Sequence, residues 1–161
     1  MAMTNEEIRD YTARISQANR SELVVILFDL FRYSIDRAEE AFKENNKEDA
    51  DKYLKKAQDC VVELKGSLNF KYENSYKLDS LYRYVHEQII LSIVRREPVN
   101  FPSIREVMDG LAESFEKIAE SDNSETVMSN SQQVYAGLTY GKDSLNEVFM
   151  NPNEASRGFK A

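Results

Sequence analysis

The chain has 161 residues, 42% of them hydrophobic and 30% charged, with a formal net charge of −7; this composition suits one packed domain and excludes a wholly disordered chain. Binding to phosphate draws its affinity from clustered Lys and Arg, so an acidic chain with no basic cluster is not expected to have a nucleic-acid partner. Five glycines and three prolines make eight residues in 161, about 5%, with Gly66 alone of either type between Met1 and Glu97; average usage is near 12%, and sandwiches, barrels and doubly wound sheets all need regular turn residues.

Long helices remain. Thr4 followed by Glu7 fits a capping box, and Ile8, Tyr11 and Ile15 recur at helical spacing, which predicts a short helix over about 5–15. Ser16 to Ser21 reads as a polar break. Residues 22–44 form the first long helix, with Leu23, Leu27, Leu30, Ser34, Ala38 and Ala41 as its seam. Asn46 caps a second over about 47–69, with Ala50, Tyr53, Leu54, Ala57, Cys60, Val61, Leu64 and Leu68 on one face. Asn69 to Ser75 is a connection. Leu78, Leu81, Tyr82, Val85, Ile89 and Ile93 line a third helix that Pro98 must end. Pro102, with Ser103 and Glu106 as a capping pair, opens a fourth whose inward residues are Ile104, Val107, Met108, Leu111, Phe115 and Ile118.

The expected fold is therefore all-α: an antiparallel up-down four-helix bundle over 1–120 with a short extra N-terminal helix. Residues 121–161 read as a polar linker and a mostly flexible tail. Within that tail Val134, Tyr135, Leu138, Leu145, Val148 and Phe149 form an apolar pattern, which either folds back onto the bundle or stays loosely ordered.

Catalytic chemistry is hard to assemble from this sequence. Carboxylate-bridged metal pairs in bundles need Glu-x-x-His motifs, whereas the lone histidine, His86, follows Arg83 at that spacing. No metal, cofactor or catalytic residue is expected, and Cys60, on an inward stripe without a basic neighbour, reads as a small core residue. The longest apolar run, Leu23 to Phe28, is six residues, far short of the roughly 18 that cross a bilayer. With no basic and apolar leader at the N-terminus, a cytosolic chain without membrane insertion is the simplest expectation. By elimination the chain works by binding.

The first long helix carries more apolar surface than one seam requires, through Val24, Val25, Phe28, Phe31 and Ile35, and the third repeats the excess at Tyr84, Ile90, Leu91 and Val94. Either the short N-terminal helix covers this surplus or it forms a groove for a partner's amphipathic helix; both hold if the short helix is a removable lid.

Three segments carry a resemblance. ANRSELVVILFDLFRYSIDRAEEAF (residues 18–42) places Leu23, Leu27, Phe28, Asp29, Ala38 and Ala41, AQDCVVELKGSLN (57–69) places Ala57, Gln58, Glu63, Leu64, Ser67, Leu68 and Asn69, and LDSLYRYV (78–85) places Leu78, Leu81, Tyr82 and Tyr84. In order and interval they resemble the flagellin-specific export chaperones, the FliS family, over roughly residues 8–118, with Ile8 and Tyr11 standing where the family has an Ile and Tyr pair. Leu30, Phe28 and Arg20 depart from that family's glycine, tyrosine and proline. The resemblance implies a helical bundle, not an enzyme, that binds the disordered C-terminal segment of flagellin in the cytosol, prevents premature polymerisation and meets a component of the flagellar export gate. The partner-binding residues expected on this basis are Ile8, Tyr11 and Ile15 as lid or anchor, and Phe28, Phe31, Tyr82 and Tyr84 in the groove. A helical adaptor or secretion chaperone for a different client is the alternative.

Overall fold

A computed structural model describes residues 3–128 of the chain. Within them the backbone forms α1 (Asn5–Gln17), α2 (Arg20–Lys43), α3 (Lys47–Gly66), α4 (Asn74–Arg95) and α5 (Phe101–Ser121). α2 packs against α3 and α5, α3 also meets α4, and α4 closes the ring against α5 more sparingly. These four form the expected up-down bundle, and α1 is the short extra helix, laid against α2. The apolar tail pattern from Val134 to Phe149 lies outside the described residues.

Helix boundaries follow local hydrogen bonding. Thr4 and Glu7 make the predicted reciprocal cap, with Glu7 N–H donating to Thr4 Oγ1 at 3.1 Å and Thr4 N–H to Glu7 Oε2 at 2.8 Å. A second box, Asn19 with Glu22, sits inside the segment read as a polar break: Glu22 N–H donates to Asn19 Oδ1 at 2.9 Å and Asn19 N–H to Glu22 Oε1 at 3.0 Å. α1 therefore runs on to Gln17 and α2 begins at Arg20, leaving Ala18 and Asn19 as the whole connection. Asn46 caps α3 as expected, accepting from Asp49 N–H at 3.1 Å, but α3 stops at Gly66, not near 69.

The capping pair expected at Ser103 and Glu106 does not form. α5 starts at Phe101 after Asn100, which is left-handed (φ 54°) and makes no side-chain cap. The corner is held from α4 instead: Val99 N–H donates to Ser92 Oγ at 3.0 Å and Asn100 Nδ2 to Gln88 Oε1 at 2.7 Å. Gln88 and Ser92 are buried there, whereas Leu81, expected inward, is 37% exposed nearer the start of α4. Ser103 Oγ lies 2.8 Å from the Tyr84 hydroxyl.

On α3 the periodicity is followed to the residue, since Ala50, Tyr53, Leu54, Ala57, Cys60, Val61 and Leu64 are all buried. α2 is rotated relative to expectation. Phe28, Phe31 and Ile35 enter the core beside Ser34, Ala38 and Ala41, while Leu23, Leu27 and Leu30 are only half-buried. The reason is that Leu23 to Phe28 is apolar all round, so spacing alone does not choose its inner face. Aromatic packing does: the Phe28 ring stacks on Phe115 with centroids 5.5 Å apart and lies 6.4 Å from Tyr82. Arg105 bonds Glu39 at 3.1 Å and Asp36 at 2.8 Å, and Arg32 reaches Asp109 at 3.0 Å, which keeps α5 in register along α2.

Candidate partner-binding face

The outer side of α2 carries apolar residues that stand outside the core cluster of the bundle. Ile26 is 3% exposed yet stands apart from the central cluster, with half-buried Val25 beside it. α1 packs against α2, and its end lines one cleft with Val25 and Ile26. Its Glu7, Tyr11, Arg14 and Ile15 are partly buried and Ala18 is fully so, a stripe at i, i+4, i+7, i+8 and i+11 that faces one way. No residue within α1 itself is buried, and Ile8, one position off the stripe, is 48% exposed.

One ion pair fixes the hairpin of α1 and α2. Arg14 Nη2 meets Asp29 Oδ2 at 2.7 Å, with the guanidinium 5.4 Å from the Tyr11 ring centre. Asp29 also lies 3.7 Å from Arg32, which pairs with Asp109, so alternating charges step from α1 across α2 to α5. Burial first, and the neighbouring Asp29 second, raise the pKa of the Tyr11 phenol. A cleft of about 470 Å³ opens where the end of α1, the start of α2 and the end of α5 converge. Ala18, Val25, Ile26 and Ala119 give it apolar wall, and Arg14, Glu22, Glu116 and Glu120 give it charge.

The seven residues predicted to bind a partner are not gathered on one surface. Ile8, Tyr11 and Ile15 share α1. Tyr84 is half-buried on α4, its hydroxyl engaged with Ser103. Phe28, Phe31 and Tyr82 are 2%, 2% and 1% exposed, inside the bundle, and burial drives the Tyr82 phenol well above its ordinary pKa. Ile26, Arg14 and the Ala18–Asn19 connection were missed by sequence reasoning. The Asn19-x-x-Glu22 spacing was the available signal for the connection; Ile26 had none, lying in a run without polar punctuation.

The remaining reactive groups have settled partners or surroundings. The buried Cys60 thiol is pushed up to about 12, chiefly by burial, so it stays protonated at neutral pH. His86 Nε2 lies 3.1 Å from Gln58 Nε2, and its pKa is lowered by burial and then by Lys65, which favours the neutral ring accepting from that amide. Among the described residues no group of three or more His, Cys, Asp or Glu could hold a metal ion, and no helix is long and apolar enough to cross a membrane.

None of the curated proteins matches the chain. A family model described as flagellar protein FliS matches residues 3–122, a span that includes all five helices. With its bundle, its added N-terminal helix and a match over most of its length, the chain belongs to the flagellar protein FliS family, a family of flagellar export chaperones.

Proposed function

We propose that this protein is a cytosolic chaperone for the C-terminal segment of flagellin, which it keeps from polymerising and delivers to the flagellar type III export gate. The observation that carries the reading is α1: a helix with no buried residue of its own lines one cleft with Ile26 and Val25 and is tied to α2 by the Arg14–Asp29 pair. A client helix with apolar residues at i, i+4 and i+7 offers α2 the same stripe in place of α1. A disordered client that folds on docking buries roughly 1,000–3,000 Å² and gives back about 2–5 kcal/mol in ordering, a balance that suits capture followed by release.

In this reading Ile8, Tyr11 and Ile15 form the lid, and half-buried Tyr84 on α4 adds an aromatic contact for the client. Phe28, Phe31 and Tyr82 act from below, setting the spacing of the helices whose outer surfaces the client meets. The test is calorimetric. Intact flagellin should form a stoichiometric complex, and flagellin without its C-terminal segment should not. Deleting residues 1–17 should change the affinity while the bundle stays folded by circular dichroism. Equal affinities with and without residues 1–17 would exclude the lid, and no complex with intact flagellin would point to a different client.

A further inference from the structure

The connection between α1 and α2 is held by residues from the far end of the described chain. Ala18 and Asn19 are 2% and 5% exposed, unusual burial for a two-residue link between helices. After α5 the backbone returns across them. Asn19 Nδ2 donates to Asp122 O at 3.1 Å, Ser21 Oγ donates to Asp122 Oδ2 at 2.5 Å, and Val127 N–H donates to Ala18 O at 3.0 Å. The other carboxylate oxygen of Asp122 accepts from Ser124 N–H at 2.9 Å and Ser124 Oγ at 2.6 Å, a local turn that sets the course of the strap. The Asn19 side chain thus serves two elements at once: its oxygen caps α2 and its amide nitrogen holds residue 122.

Ala18 and Asn19 are also where α1 must pivot to leave Ile26. Rotation about their backbone moves Ala18 O and the Asn19 amide, the two groups that the strap grips. Lifting α1 therefore requires those bonds to break. We propose that residues 122–127 latch the α1 hinge, with Asp122 as the positioning residue, and that this latch sets how readily the face under α1 opens. The effect on client affinity rests on the chaperone reading above; the latch itself is a property of the chain alone. A client that needs the open face binds more weakly by the fraction of time that face is open. By reciprocity, client binding loosens the strap, so a loaded protein differs from an empty one at residues 122–127 as well as at α1.

The experiment uses the full-length protein and three variants. Asp122→Ala removes the acceptor for Ser21 and Ser124, Asp122→Asn keeps an oxygen there, and Val127→Pro removes the N–H bonded to Ala18 at a position 56% exposed. Hydrogen exchange without any client should quicken in α1 by about three- to tenfold in Asp122→Ala and Val127→Pro. Asp122→Asn should stay close to wild type, and amides around Val61 in α3 should be unchanged. Unaltered α1 exchange in both disruptive variants overturns the latch, as does an acceleration shared equally by α3. Each protein is then titrated with a synthetic peptide of the flagellin C-terminal segment. Tighter binding by a similar factor supports the link to affinity, and equal affinity despite faster α1 exchange overturns that link. If no protein binds the peptide, wild type included, the chaperone reading fails while the exchange result still decides the latch.

Discussion

The two sides of α2 are packed by different means. Inward, Ile35 and Ala38 have no exposed surface and meet a cluster drawn from all four bundle helices. Outward, Ile26 is almost as well hidden, but beside a cleft it shares with the ends of α1 and α5, where α1 has no buried residue and is tied to α2 by one ion pair. Burial of a residue therefore does not report how firmly its cover is held. The inner side can lose contacts only if the bundle opens, whereas the outer side would lose some of its contacts by local opening of α1 alone.

Substitutions on the two sides should separate them. Ile35→Ala leaves a cavity that the surrounding core fills only in part, and should cost about 2–5 kcal/mol in urea denaturation. Ile26→Ala removes a side chain of equal size, yet α1 is free to settle or fray, so a loss of about 1–2 kcal/mol is expected. Equal losses would mean that α1 is as much a part of the core as α3. Arg14→Ala breaks a pair whose side chains are 37% and 24% exposed; exposed pairs contribute about 0.2–1 kcal/mol. Its larger effect should be on α1, seen as faster amide exchange from Ile8 to Gln17.

A pH series tests the bundle side with α1 untouched. The pKa of His86 is lowered in the fold by burial and by Lys65, so the unfolded chain takes up a proton first. The contribution is present above the ordinary imidazole pKa and is lost as the pH falls below about 6.5 towards the depressed folded value. Wild type should lose more stability than His86→Gln between pH 7.5 and pH 5.5, and parallel curves would remove this role. Cys60 supplies the smallest expected change. Its thiol, raised to about 12 and buried, should resist iodoacetamide at pH 8 equally with and without residues 1–17, because lifting α1 leaves the core closed.

How far the sequence could be read depends on where apolar residues are interrupted. In α3, charged pairs such as Asp51 with Lys52 and Lys55 with Lys56 separate most of the inward positions, and every expected inward residue within the helix is buried. α2 has no such bracketing between Leu23 and Phe28, so its rotation was decided by how Phe28 fits Phe115 and Tyr82, which is information held on other helices. The corner between α4 and α5 was misread for a related reason: Asn100 and Val99 are held by Gln88 and Ser92 on α4, partners that lie outside the local Ser103 and Glu106 spacing. A short helix before the bundle was legible from its capping box and spacing, and it packs against α2. Its connection to α2 was half legible, through the Asn19 and Glu22 spacing, and the strap not at all, because Ser21 and Asp122 are 101 residues apart and no pattern in either neighbourhood points to the other.

The strap also imposes an order on synthesis. A chain made from its N-terminus has α1 and α2 available to pair while Asp122 and Val127 have yet to be joined to it, and domains begin to organise from that end. Throughout that interval the hairpin is held only by its own contacts. Residues 122–127 are thus made after the hairpin they bond to, so a nascent chain carries the α1–α2 connection before the strap that, on the latch proposal, restrains it.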